Sequence, residues 1–207
     1  MTATASLERL FRAIANHDHS AALSILERKP SLTMDAVRTG AARADAKAHF
    51  LTPIARYTYT GDTALHIAAA AYDATLVKRL LAMGADANAR NRLGATPLHA
   101  ASDGQPDGAN WNPDAQVATL AELLAAGIDP NITDKRGVTP LHRAIRARCA
   151  AATRFLLEHG ADPRRKNVSG STPLRLATLT TGRSGSGSAA AKREQAEIIR
   201  LLKQTRS

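Results

Sequence analysis

The stretch GVTPLHRAI, residues 137–145, places a threonine and a proline at the head of a run whose apolar residues recur at helical spacing. Thr139 offers a side-chain oxygen to the unpaired N–H groups of a helix start, and Pro140 suits the first helical position, where its missing N–H costs nothing. His142 stands three residues after Thr139, where a side chain can reach back to the cap as glutamate does in a capping box. Leu141, Ala144 and Ile145 share one helical face, and Ala152, Phe155 and Leu156 form a comparable set on a second helix. Asp134 to Gly137 reads as a turn before the pair, and Gly160 as the left-handed residue that closes it. Helices this short are marginal alone, so burial against neighbouring units has to supply most of the stability.

Such neighbours are present. GDTALHIAA begins at Gly61, GATPLHAAS at Gly94 and GSTPLRLAT at Gly170, so that the four glycines stand 33, 43 and 33 residues apart. A Leu-Leu pair followed by glycine recurs as Leu80-Leu81 with Gly84, Leu123-Leu124 with Gly127, and Leu156-Leu157 with Gly160. The long interval carries ten extra residues around DGQPDGANWNPD, and the last unit carries a TGRSGSGSAAAK insertion. At the N-terminus Leu10 and Leu26 keep the 16-residue spacing between the two markers without the cap motif, which indicates a degenerate first unit followed by a long insertion.

G-x-T-P-L-H-x-A-A followed by L-L-x-x-G-A-D at a 33-residue period resembles the ankyrin repeat. The resemblance implies an all-α solenoid of stacked helix-turn-helix units joined by hairpin-like loops, here about five of them in a single domain spanning 1–207. The expected divisions are a degenerate repeat at 5–30, an insertion at 31–57, repeats at 58–90 and 91–133 with an inserted loop near 103–114, a repeat at 134–166, and a C-terminal repeat at 167–207 with a flexible insertion near 180–191. Departures from the pattern are Ala64 for proline, Arg175 for histidine, Asn91 and Asn167 for the turn aspartate, and Arg164 for asparagine.

A single cysteine, Cys149, excludes an internal disulfide, and no stretch approaches the roughly 20 apolar residues needed to cross a bilayer. A reducing, cytoplasmic setting and a monomer are the expectation. The net charge is +10, with 14 basic and 14 acidic residues in 1–136 against 14 and 4 in 137–207. The excess therefore sits in the C-terminal third, a field that steers acidic partners without choosing among them.

Chemistry finds little support in the motifs. His66, His99 and His142 hold one place in successive units, too far apart to share an ion and better read as structural. Asn16-His17-Asp18-His19 groups two imidazoles with a carboxylate, but in the turn of the first unit and with no further ligand readable from the sequence. The Gly182–Ser188 run lacks the ending of a phosphate loop and reads as a linker. No catalytic residue, cofactor or metal site is expected, and the chain reads as a non-enzyme.

What remains is a surface for another protein, an acidic one by its charge. In ankyrin-like proteins partners lie in the groove of hairpin tips and first helices, and the resemblance assigns the contact positions to Tyr59, Asp62, Arg92, Asp103, Lys135, Arg136, Val138, Arg146, Val168 and Ser171. Trp111, the one tryptophan, is either an anchor for a partner or a pin that tucks its loop onto the neighbouring helices. The alternative function is electrostatic binding of nucleic acid or an anionic membrane through Arg143, Arg146, Arg148, Arg154, Arg164, Arg165, Lys166 and the basic last unit. At 3% of the chain, aromatics are too sparse for base stacking to support it.

Overall fold

The computed structural model describes residues 3–41, 46–104, 111–179 and 188–205. Among these, helices form five consecutive hairpins: α1 (Ala3–Ala15) with α2 (His19–Arg28), α3 (Ala64–Ala70) with α4 (Ala74–Ala82), α5 (Pro97–Ser102) with α6 (Pro113–Ala125), α7 (Pro140–Arg146) with α8 (Ala150–Glu158), and α9 (Pro173–Thr178) with α10 (Ala189–Gln204). The first helices pack in sequence, α1 on α3, α3 on α5, α5 on α7 and α7 on α9, while α4, α6, α8 and α10 make a second layer. This is the all-α solenoid expected from the spacing.

The caps form as the residue pattern requires. In α3, α5 and α7 the threonines Thr63, Thr96 and Thr139 close capping boxes with His66, His99 and His142, whose Nδ1 atoms accept the cap N–H at 3.2 Å in each case. α9 keeps the threonine cap, Thr172 accepting from the Arg175 N–H at 3.3 Å, without a histidine. At the other end of the hairpin, Gly160 takes φ 87°, which lets its own N–H reach the Leu157 carbonyl and that of Ala161 reach Leu156, satisfying the last carbonyls of α8.

Between the two helices the chain turns through a left-handed residue that is not glycine: His17 at φ 55°, Tyr72 at 56° and Arg148 at 59°. The residue after each is the cap of the second helix. Asp18 accepts from Ala21 N–H and Asp73 from Leu76 N–H, both at 2.9 Å, whereas Cys149 makes no side-chain cap.

The core runs continuously along the stack. Leu10, Ile14 and Leu26 of the first hairpin, Leu65 and Leu80, Leu98, Leu120 and Leu123, and Leu141 and Leu156 are all fully enclosed. Alanines such as Ala68, Ala101, Ala144 and Ala152 lie between them, and their small side chains let the helices approach. In the last described unit Leu174 is only half-buried.

The described residues of the segment at 31–57 carry more regular structure than an insertion need have. A turn of 3-10 helix at Pro30–Thr33 buries Leu32, and two short strands, β1 (Phe50–Leu51) and β2 (Arg56–Tyr57), pair antiparallel with Phe50 opposite Tyr57. Val37 then exchanges backbone bonds with the tip of the next unit: its N–H meets the Asp62 carbonyl at 2.9 Å and its carbonyl accepts from Gly61 at 2.8 Å. The first unit thus borrows a hairpin edge from its insertion.

Two expected boundaries shift. Of the loop near 103–114, residues 105–110 lie outside the described residues, and Pro113 and Asp114 already belong to α6, capped by Asn112. Of the insertion near 180–191, residues 180–187 lie outside the described residues, and Ala189 to Ala191 are the first turn of α10, capped by Ser188.

Candidate functional site

Each hairpin tip is built by its turn residue. Asp134 accepts from the N–H groups of Arg136 at 2.8 Å and Val138 at 3.0 Å, and Asn91 does the same for Leu93 and Ala95 at 3.0 and 3.1 Å. Asn167 likewise holds Ser171 N–H at 2.9 Å. An amide oxygen makes the same bonds as a carboxylate, which is why asparagine replaces aspartate without loss of the turn.

Successive tips are then joined by backbone hydrogen bonds. Arg92 N–H donates to the Thr60 carbonyl at 2.6 Å, Lys135 to Leu93 at 3.0 Å and Val168 to Arg136 at 2.9 Å. The three capping histidines add a second tie, each placing its Nε2 on a carbonyl of the next tip: His66 on Ala95 at 3.1 Å, His99 on Val138 at 2.9 Å and His142 on Ser171 at 3.2 Å. Since Nδ1 accepts the cap N–H, Nε2 must carry the proton and the ring must be neutral. Burial lowers the affinity of all three for a second proton, and His99, next to the Arg143 guanidinium, is held at about 4.

The ten expected contact positions divide on this frame. Lys135, Arg136, Arg146 and Val168 are exposed, the last 78% so. Arg92 is exposed as well, but its guanidinium lies 5.1 Å from the centre of the half-buried Tyr59 ring and donates to the Ala41 carbonyl at 2.9 Å, so Arg92 also holds the insertion in place. Val138 and Ser171 are half-buried, and their carbonyls are occupied by the histidines.

Asp103 is half-buried and accepts from Arg143 at 2.7 Å, while its carbonyl accepts the Tyr72 hydroxyl proton and the Gln116 amide at 3.1 Å. Asp62 corrects the expectation. It is 0% exposed, takes Tyr59 N–H at 2.8 Å and Asn91 Nδ2 at 2.9 Å, and has the Arg56 guanidinium 3.4 Å away, so it ties the first complete tip to the second and presents nothing outward.

Trp111 is half-buried and packs on the core. It comes down beside Gly104, where a Cβ atom would lie 3.3 Å from its Nε1, 3.3 Å from the Tyr72 hydroxyl and 2.3 Å from Cys149 Sγ. The pinning reading describes this placement. Burial pushes the Cys149 thiol up to about 12, so it is an inert packing group.

Leu93 in the second tip and Leu179 after α9, positions that the ankyrin pattern also offers to a partner, are large apolar side chains left exposed, at 38% and 42%.

Comparison with known proteins agrees with the geometry. Family models of ankyrin repeats match residues 10–111 as three copies, 93–135 as a single repeat and 123–177 as many copies. Among curated proteins the chain is 57% identical over 42 residues to neurogenic locus notch homolog protein 1 of Xenopus laevis and to the neurogenic locus Notch protein of Drosophila melanogaster. It has the same identity to neurogenic locus notch homolog protein 2 of Homo sapiens. Each match covers 20% of this chain and 2% of the relative, so the likeness is to a stretch of repeat and not to a whole protein. Matching family models from residue 10 to residue 177, on a stack of helical hairpins with the motif's own caps, place the chain in the ankyrin repeat family.

Proposed function

We propose that the chain is a non-catalytic binding module that takes another protein on the row of hairpin tips and the adjoining edge of the first helices. Ankyrin repeats are generally protein–protein interaction modules, which supports the class of function. The observation that carries the finer reading is the chain of backbone bonds from Thr60 through Arg92, Leu93, Lys135 and Arg136 to Val168. It holds exposed Arg92, Lys135, Arg136 and Val168 at set intervals on a stiff frame, so a docking partner loses its freedom while the module loses little. Three cations and one apolar side chain in such a row suit an acidic partner with an apolar anchor.

The test is affinity capture from the source cytoplasm, the compartment we propose, with the wild type and an Arg136→Ala/Arg146→Ala/Val168→Ser variant. These side chains are exposed, so the variant should fold with an unchanged helical spectrum and lose its specific partners. Equal capture by both chains refutes the assignment. The polyanion alternative is weakened by the fate of its residues. Arg143 is half-buried against Asp103, Arg148 is buried and Arg154 meets Glu197 at 2.5 Å, which leaves Arg146, Arg164, Arg165, Lys166 and, in the last unit, Arg175, Lys192, Arg193 and Lys203 outward. A salt titration against duplex DNA and anionic vesicles would revive it only if affinity fell steeply with salt.

A further inference from the structure

We propose that His17, His19 and Asp73 form a binding site for a divalent transition metal, zinc suiting it best, that ties the first helical hairpin to the second. From the sequence, the two histidines have no third ligand at hand. Asp18 between them is committed to capping α2 through the Ala21 N–H. The missing ligand comes from the next unit. Asp73 lies 54 residues beyond His19, and stacking brings its Oδ2 to 2.5 Å from His19 Nε2 and 3.9 Å from His17 Nδ1. The three ligand atoms all fall within 4.8 Å of one another, and this is the group of metal-ligating side chains that the described residues bring together.

The distances are close to those an ion would set. Ligands about 2.0 Å from a tetrahedral ion stand about 3.3 Å apart. An ion taking the place of the proton between His19 and Asp73 therefore spreads that pair by less than about 1 Å, and draws His17 in by less than about 1 Å toward Asp73 and by up to about 1.5 Å toward His19. The ligands are also arranged to receive it. Asp73 is 3% exposed and its Oδ1 accepts the Leu76 N–H at 2.9 Å, so the helix cap orients the carboxylate while Oδ2 stays directed at the imidazoles. The histidine backbones are held in the turn by Asp18 N–H on the Ala13 carbonyl at 2.9 Å and His19 N–H on His17 at 3.1 Å.

The side chains of His17 and His19 are 56% and 45% exposed, which leaves room for water at the remaining position and a path for the ion. Two imidazoles and one carboxylate favour zinc and its neighbours over magnesium or calcium, which prefer oxygen alone. Position gives the site a purpose. Among the described residues the second helices pack closely from α4 onward, α4 on α6 and α6 on α8, and α2 has no comparable packing on α4. A metal bridging the start of α2 to the start of α4 would fasten the junction that side-chain packing leaves loosest.

The experiment uses the full chain without a histidine tag, stripped with chelator, and titrates zinc by calorimetry while cobalt(II) absorption reports coordination. One zinc per chain, a visible cobalt band of tetrahedral intensity, and a zinc-dependent rise in the unfolding midpoint are expected. His17→Asn, which tolerates the left-handed turn, and Asp73→Asn, which keeps an oxygen for the Leu76 N–H, should each weaken zinc at least tenfold, whereas His159→Ala should not. Failure to bind zinc stoichiometrically, or equal binding by a His17→Asn/His19→Ala double variant, overturns the site and leaves a plain His19–Asp73 hydrogen bond. Loss of folding in Asp73→Asn alone does not rescue it, because the exposed His17 variant is read independently.

Discussion

His99 gives the frame a measurable acid sensitivity. Its ring is fully buried, accepts the Thr96 cap N–H through Nδ1 and holds the Val138 carbonyl through Nε2, so both nitrogens are committed to a neutral imidazole. Burial first, and the Arg143 guanidinium second, lower it from 6.5 to about 4. The unfolded chain takes up the proton more readily than the folded one, so the contribution of His99 is complete above pH 6.5, declines as the pH falls, and is gone below about pH 4. Linkage over that interval amounts to about 2 kcal/mol by pH 5 and about 3 kcal/mol by pH 4. His66 and His142 are shifted the same way and steepen the loss. The assay is urea unfolding followed by circular dichroism at a series of pH values, for the wild type and for His99→Gln, in which glutamine keeps a capping-box acceptor but does not titrate. The variant should be the less stable near neutrality, and the gap between the two curves should narrow on acidification by about 2 kcal/mol at pH 5. Parallel curves between pH 6.5 and pH 5 would refute the claim that a neutral His99 is what joins the second tip to the third.

Three further outcomes follow from the same frame. Asp62→Ala removes the acceptor for Tyr59 N–H and Asn91 and the partner of Arg56, so it should lower stability by about 3 kcal/mol in urea unfolding; a neutral result would return Asp62 to the list of outward contacts. Gly104→Ala drives a methyl group into the buried Cys149 Sγ, and a loss of about 1–3 kcal/mol is expected, with a shift in Trp111 fluorescence. The Cys149 thiol, 0% exposed and pushed up to about 12, should label with a disulfide reagent only as the protein unfolds; rapid native labelling would refute its burial beside Gly104.

Local relations were legible in the residues, and relations across the stack were not. Thr139, Pro140, His142 and Gly160 act within three or four positions of one another, where geometry is set by the helix itself, so the motif predicts cap, start and stop. The same logic recovered the stacking period, and with it the fold. Asp62 follows a turn glycine just as exposed turn residues do, and nothing beside it announces Asn91, 29 residues away, as its partner. Arg143 reads as a loose cation in a basic third of the chain until Asp103, 40 residues earlier, is found against it.

The segment at 31–57 carries no repeat motif, so spacing counts it as surplus, although Val37 completes the edge of the first tip. The helical hairpin, its caps and the order of the stack are written in the residues, because they rest on bonds between near neighbours and on a period that apolar residues must keep. Which charges remain outward, that Trp111 packs inward, and that Asp73 meets His17 and His19 emerge when the units stack. Each of those depends on what the adjacent unit places opposite a side chain, and a period states how far away that unit begins without stating which of its atoms will be there.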